Sequence, residues 1–261
     1  MEQIIDFIFN TVWGYIILGV AALAVCAIAF FAISVIWYKN CFKRFYDIVL
    51  SGAAILFLSP ILVILIIVGA IKMKGNPFFT QLRPGKNGKI FKLIKFRSMT
   101  CEKDSDGNLL PDEKRLTKYG KLLRATSLDE LPELINIFIG NMSIVGPRPQ
   151  LVRDMVFMSD EQNKRHSVTP GLTGLAQCSG RNNMSWEKKF EYDLKYIEKI
   201  TFFGDLKIIL KTAIKVFKRD GITEEGEATA TDFGDYLLSK GEITKEEYDA
   251  LQKKATELMP V

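Results

Sequence analysis

Two long apolar runs near the start of the chain decide what the rest of it can become. Residues 16–37 (IILGVAALAVCAIAFFAISVIW) carry no charge. As a helix they would extend about 33 Å, enough to cross a bilayer core. No basic segment precedes them and the run is long for a signal peptide, so it reads as a retained transmembrane helix. Glu2 and Asp6 stand before it, and Lys39, Lys43 and Arg44 come after. The positive-inside rule then puts the N-terminus outside and the remainder in the cytoplasm. The second run, Ile48 to Ile71, is interrupted by Ser59-Pro60 and is basic at both ends, with Lys43 and Arg44 before it and Lys72 and Lys74 after. Proline inside a helix removes a hydrogen bond and clashes with the preceding turn. A broken, re-entrant helix that enters and returns on the cytoplasmic face keeps both basic clusters on one side. The alternative, a kinked span, would put the next basic region outside.

That region is dense in cations. From Ile71 to Arg124 there are 14 Lys and Arg against 5 Asp and Glu, in a chain of 261 residues with net charge +5. Such an excess suits an anionic partner: a lipid headgroup, a nucleotide or a nucleic acid. The four cysteines (Cys26, Cys41, Cys101, Cys178) are scattered, and His166 is the sole histidine. They read as reduced thiols, and a zinc site or a Ser-His-Asp triad has no support. No P-loop or dinucleotide-binding fingerprint occurs, nor any helix-turn-helix or aromatic-interleaved basic motif, so no nucleic-acid partner is expected.

Downstream, Phe78 to Phe96 alternates around the turn cluster Pro84-Gly85-Lys86-Asn87-Gly88 and predicts a β-hairpin with Lys95 and Arg97 near its end. Residues 101–115 read as loop, and Leu116 to Arg124 as a short basic helix carrying Lys118, Lys121 and Arg124 towards the acid pair Asp129-Glu130. A helical pattern covers Leu151 to Arg165, and Thr169 to Gly174 is turn chemistry. Residues 186–217 form amphipathic stripes suited to a core or a membrane surface. After a Gly/Ala/Thr/acid linker, the tail reads as helix, Gly241 turn, Thr244/Glu247 capping box and helix.

The chemistry concentrates in residues 124–149. Asp129 and Glu130 sit between Arg124 and the turn Gly146-Pro147-Arg148-Pro149. Ser127 and Glu130 have capping-box spacing, which would start a helix near Leu128; Pro132 offers a rival start. Either way the acids lie near a helix N-terminus. Capping alone would account for both carboxylates. The functional reading is an ionised pair beside cations, able to hold a divalent metal and attack phosphorus.

Several motifs stand in order: Lys43-Arg44-x-x-Asp47, Ser59-Pro60, Phe91-x-x-x-Lys95-Phe96-Arg97-Ser98-Met99, Leu128-Asp129-Glu130-Leu131-Pro132, Gly146-Pro147-Arg148-Pro149, Pro170-Gly171-Leu172-Thr173-Gly174 and Gly180-Arg181-Asn182. From Lys43 to about Gly226 the chain resembles the monotopic phosphoglycosyl transferases, the bacterial sugar transferase family, in their small PglC-like form.

The resemblance implies that a sugar 1-phosphate moves from a UDP-sugar to undecaprenyl phosphate, releasing UMP, as a first membrane step of glycan assembly. It makes Asp129 the nucleophile, forming an aspartyl phosphosugar, and gives Asp129 and Glu130 a Mg²⁺ ion. Lys95, Arg124, Arg148 and Arg181 match positions that would meet the donor's phosphates. Lys43, Arg44, Asp47, Ser59 and Pro60 would anchor the re-entrant helix near the lipid phosphate. Gly180-Arg181-Asn182 and Trp186 lean towards an N-acetylated sugar.

The expected fold class is α+β and mostly helical: a transmembrane helix (1–40), a re-entrant helix (41–75), a cytoplasmic catalytic domain with a small hairpin and interfacial helices (76–226), and a linker with a helical hairpin (227–261). The last would bind a protein partner or a second copy of the chain. The expected location is the bacterial inner membrane. The rival from another class is a non-enzymatic scaffold that binds anionic lipids, which leaves Asp129-Glu130 among arginines unexplained.

Overall fold

The computed structural model describes residues 2–180, 184–218 and 231–259. The chain divides into two compact units, Met1–Lys43 and Arg44–Val261. The first is built on one long helix, α1 (Glu2–Ile36), succeeded by a π-helical turn over Tyr38–Phe42. Side chains such as Leu18, Leu23 and Ile28 are exposed along α1, and Thr11–Ile36 is long and apolar enough to cross a membrane. Ser34 returns its hydroxyl to the Phe31 carbonyl at 2.8 Å, which lets a polar side chain sit in an apolar helix.

The second unit starts on α2 (Lys43–Lys72), which runs unbroken through Ser59-Pro60. The sequence suggested a break there. Proline cannot bond the Leu56 carbonyl one turn back, and the Ser59 hydroxyl donates to that carbonyl instead, at 2.7 Å. Both halves of α2 touch the body of this unit. Near its start, Arg44 donates to the Ile137 and Phe138 carbonyls at 2.5 and 2.7 Å, and Asp47 accepts the Ile144 N–H at 2.9 Å. Near its end, Tyr119 donates its hydroxyl to the Leu65 carbonyl at 3.1 Å. Elsewhere α2 leaves Leu56, Phe57, Ile64 and Ile71 exposed.

A hairpin comes next, β1 (Phe78–Pro84) and β2 (Ile90–Phe96), antiparallel with Phe78 opposite Phe96 and Phe79 opposite Lys95. Its turn sits where the sequence put it, with Asn87 and Gly88 both at positive φ. Then come α3 (Asp112–Arg115), α4 (Lys118–Ala125), a 3₁₀ turn over Leu128–Glu130, and α5 (Glu133–Ile139). Phe91 and Leu93 of β2 bury against Leu134 and Ile137 of α5 and Met142, with Ala54, Ile55 and Leu58 of α2 packed on this core. Each such side chain contributes roughly 1.5–3 kcal/mol on burial. Asn136 fixes the register: its side chain accepts the Ile94 N–H at 3.0 Å and donates to the Lys92 carbonyl at 2.8 Å, satisfying the free edge of β2.

The rest is mostly helical: β3 (Ser143–Val145), α6 (Val152–Met155), α7 (Asp160–Asn163), β4 (Gly171–Thr173), α8 (Leu175–Ser179), α9 (Trp186–Glu198), α10 (Phe202–Lys218), α11 (Phe233–Ser239) and α12 (Lys245–Leu258). Where the sequence suggested one helical pattern over Leu151–Arg165, two short helices and a 3₁₀ turn stand instead. Thr169 to Gly174 is more than a turn, since β3 and β4 pair in parallel. Their backbones approach so closely that a Cβ on Gly171 would lie 2.0 Å from the Gly146 nitrogen. The tail matches its local signals: Thr244 and Glu247 form a reciprocal capping box, and Gly241 ends the preceding helix at positive φ.

Candidate active site

Strand alternation places Lys95 on the same face of β2 as Phe91 and Leu93, the face against which α5 packs. Its ammonium therefore meets the start of α5. Lys95 Nζ lies 2.7 Å from Glu130 Oε1 and 3.1 Å from Glu133 Oε1. Arg148, on the turn after β3, donates to the same Glu130 oxygen at 2.7 Å. Arg124, at the end of α4, donates through Nε to the buried Ser98 hydroxyl at 3.0 Å. A Cβ on Gly120 would stand 1.8 Å from the Ser98 carbonyl oxygen, so only glycine lets α4 approach this closely.

The acid pair is not presented by a capping box. Ser127 is left-handed (φ 54°, ψ 18°) and its side chain caps nothing, so the Ser127/Glu130 reading of the sequence is corrected. A 3₁₀ turn does start at Leu128, and α5 itself starts just after Pro132. A non-glycine residue in the left-handed region costs on the order of 1 kcal/mol, which the surrounding contacts must offset. The Glu130 side chain is spent on Lys95 and Arg148 rather than on the backbone.

The charges split the carboxyl groups. Burial pushes Glu130 up, but Arg148 and Lys95, by charge and by hydrogen bonding, outweigh it and hold Glu130 at about 2. Asp129 is raised, first by burial and then by the Glu130 charge, with Lys95, Arg124 and Arg148 opposing. It is the acid left open: among the described residues it makes no hydrogen bond or ion pair. Burial also raises Glu133. Glu130 in turn raises the Arg148 guanidinium.

Of the site residues expected from the sequence, Asp129, Glu130, Lys95, Arg124 and Arg148 come together. Arg181 lies outside the described residues. Arg44 and Asp47 tie α2 to α5 and β3, Ser59 and Pro60 lie in the middle of α2, and Lys43 rests over the Tyr38 ring at 5.8 Å within the first unit. Three participants were missed. Glu133 could have been found, standing one helical turn beyond Asp129 and Glu130. Arg83, which donates to the Pro149 carbonyl at 3.1 Å, and Arg165, which donates to the Arg148 carbonyl at 2.7 Å, gave no local signal.

A hard divalent cation fits the two adjacent carboxylates. Asp129 is unbonded, and Glu130 is engaged only through Oε1 among the described residues. No cluster of three or more His, Cys, Asp or Glu that could cage a metal occurs among them. One or two carboxylates, completed by water and substrate phosphates, is the donor set Mg²⁺ ordinarily takes.

The family model described as bacterial sugar transferase matches residues 38–219, and the chain belongs to that family. It is 49% identical over 193 residues to an uncharacterized sugar transferase, EpsL, of Bacillus subtilis, covering 73% of this chain and 95% of that one. It is 42% identical over 186 residues to a UDP-glucose:undecaprenyl-phosphate glucose-1-phosphate transferase of Klebsiella pneumoniae (67% of this chain, 40% of the relative). A galactosyl transferase, CpsE, of Streptococcus agalactiae is 40% identical over 185 residues (65% and 41%). The chain thus spans about 40% of the length of these two longer relatives.

Proposed function

We propose that this chain transfers a sugar 1-phosphate from a UDP-sugar to undecaprenyl phosphate in two displacements on Asp129. A carboxylate oxygen of Asp129 attacks the sugar-bearing phosphorus. The bond from that phosphorus to the UMP oxygen breaks, and UMP leaves with the electron pair. A phosphate oxygen of undecaprenyl phosphate then attacks the same phosphorus, and the Asp129 carboxylate departs regenerated. The observation that carries this reading is that Asp129, set beside Glu130, Lys95, Arg124 and Arg148, is the acid of the site left unpaired among the described residues.

The cations have a defined task. Bringing a carboxylate to a diphosphate joins two anions, and fixed positive charge in a partly buried site offsets that repulsion. Lys95 and Arg148 are held in place by Glu130 and stand ready for phosphate oxygens. Asp129 and Glu130 would hold Mg²⁺, which supplies further neutralisation of the donor's phosphates when bound. The relatives whose printed names include undecaprenyl phosphate support that acceptor class.

The membrane arrangement obeys the same logic. Both halves of α2 contact one folded unit, which favours entry and return on a single face over a crossing. The site then lies where a water-soluble donor and a lipid acceptor can both reach it, in the inner membrane with the catalytic unit facing the cytoplasm. Release of UMP from a panel of UDP-sugars, with undecaprenyl phosphate and with or without Mg²⁺, tests the reading and separates it from a lipid-binding scaffold. Mg²⁺-dependent UMP release that disappears in Asp129→Asn is the expected result. Absence of release with every donor would overturn it.

A further inference from the structure

The family match ends at residue 219, yet residues 231–259 pack within the same compact unit as the site. Phe233 anchors them. It is buried, with its ring 5.0 Å from Phe190 and 5.1 Å from Trp186. The Trp186 indole N–H donates to the Thr231 carbonyl at 3.3 Å, and Arg153 pairs with Asp232. The sequence suggested a module for partners or a second copy, but its main aromatic side chain is spent inside this chain.

Asp154 is the joint. Its buried carboxylate uses its two oxygens on different segments: Oδ1 accepts the Phe233 N–H at 2.9 Å, and Oδ2 accepts the Leu151 N–H at 3.1 Å. Leu151 stands just beyond the turn that carries Arg148. Two other buried or half-buried groups hold that turn by its carbonyls. Arg83 takes Pro149, and Arg165, fixed by Asp193 at 2.6 Å, takes Arg148. The Arg165 guanidinium lies 5.8 Å over Phe190, the ring on which Phe233 packs. Two of the three side-chain holds on the Arg148 turn therefore lead to Phe233; the turn is also bonded to the β4 segment, Gly146 N–H to the Thr173 carbonyl at 2.9 Å and Gly171 N–H to the Pro147 carbonyl at 3.0 Å.

We propose that the C-terminal hairpin is an intramolecular brace for the Arg148 turn, with Phe233 and Asp154 as positioning residues that let the Arg148 guanidinium reach Glu130. The catalytic consequence rests on the proposed transfer reaction; the mechanical one does not. With two of its three side-chain holds released, the Arg148-Pro149 end of the turn can drift although Gly146 and Pro147 stay bonded to the β4 segment, and a displacement of about 1 Å can cost about 100-fold in rate.

Phe233→Ala and Asp154→Asn, each in the full chain, test this, since asparagine keeps the shape but replaces one acceptor oxygen by a donor. A chain ending at Ala230 is assayed with and without an added peptide of residues 231–261. The expected result is a kcat lowered about 10- to 100-fold, measured well below each variant's Tm, with the donor KM nearly unchanged and partial recovery on adding the peptide. Amide exchange over residues 146–151 is monitored in the same full-chain variants and should quicken. Near-native kcat together with unchanged exchange in the two point variants would overturn the brace, whether or not the shortened chain folds. If the intact chain released UMP from no donor, the transferase reading would fall, and the exchange data alone would decide the brace.

Discussion

Arg148 and Glu130, 18 positions apart in the chain, meet at 2.7 Å through Nη2 and Oε1. That contact, with Lys95 on the same oxygen, keeps Glu130 ionised down to about pH 2 while its neighbour Asp129 is raised. Adjacent carboxyl groups thus titrate apart, which is how one site assigns different tasks to like residues.

The first consequence is a pH profile. In the proposed reaction Asp129 must be ionised to attack, and burial with the Glu130 charge raises its pKa. UMP release should therefore fall, as pH drops, through an apparent pKa above the ordinary aspartate value of about 4. Arg148→Gln removes a cation that opposes that rise, so the acid limb should move to still higher pH. An acid limb at or below the ordinary value, or one that moves down in the variant, would contradict the assignment.

Asn136→Leu should destabilise the catalytic unit by about 2–5 kcal/mol, because the Ile94 N–H and Lys92 carbonyl both lose a buried partner. Lys95 is the next residue on that edge, so activity should fall as well. Denaturant unfolding in detergent measures the first effect; a loss under about 0.5 kcal/mol would show that β2 is held otherwise.

His166 links stability to pH. Burial and the neighbouring Arg165 charge push its pKa down to about 4 from 6.5, and its buried Nε2 has no hydrogen-bond partner among the described residues. In the interval between those values the unfolded chain binds the proton that the folded chain refuses, so stability rises with pH there. The contribution is fully present above pH 6.5 and is lost as pH falls towards 4. Its size is on the order of 3 kcal/mol at 1.36 kcal/mol per unit. His166→Gln should flatten the dependence of Tm on pH across this window, and an unchanged slope would exclude His166 as its source.

The proposed one-sided arrangement of α2 is open to labelling. In a background lacking the four native cysteines, single cysteines at positions 5, 43 and 75 are treated in intact cells with an impermeant maleimide. Position 5 should react, while 43 and 75 stay protected. Replacing Ser59-Pro60 by Ala-Leu should tend to expose position 75, since it restores the helix hydrogen bond that Pro60 lacks and leaves a stiffer apolar helix long enough to cross. Reaction at 75 in the otherwise native chain would place the catalytic unit outside and defeat a cytoplasmic site.

What the sequence determined by itself is what residues within about four positions of each other decide. The Asn87-Gly88 turn, the Thr244/Glu247 box, the Gly241 helix end and the two apolar runs all come from local backbone chemistry and hydropathy. The Asp129-Glu130 pair and the cations around it were legible as a set. The tertiary structure alone decided how they are held. Ser127 abandons a locally favourable cap for a left-handed turn because Glu130 is worth more against Lys95 and Arg148. Arg44 reaches the end of α5 across 93 positions, and Arg165 pairs with Asp193 across 28. The parallel pairing of β3 with β4 and the docking of Phe233 on Phe190 are of the same kind. Such contacts depend on which distant surfaces meet once the chain has collapsed, and no spacing rule along the sequence encodes that.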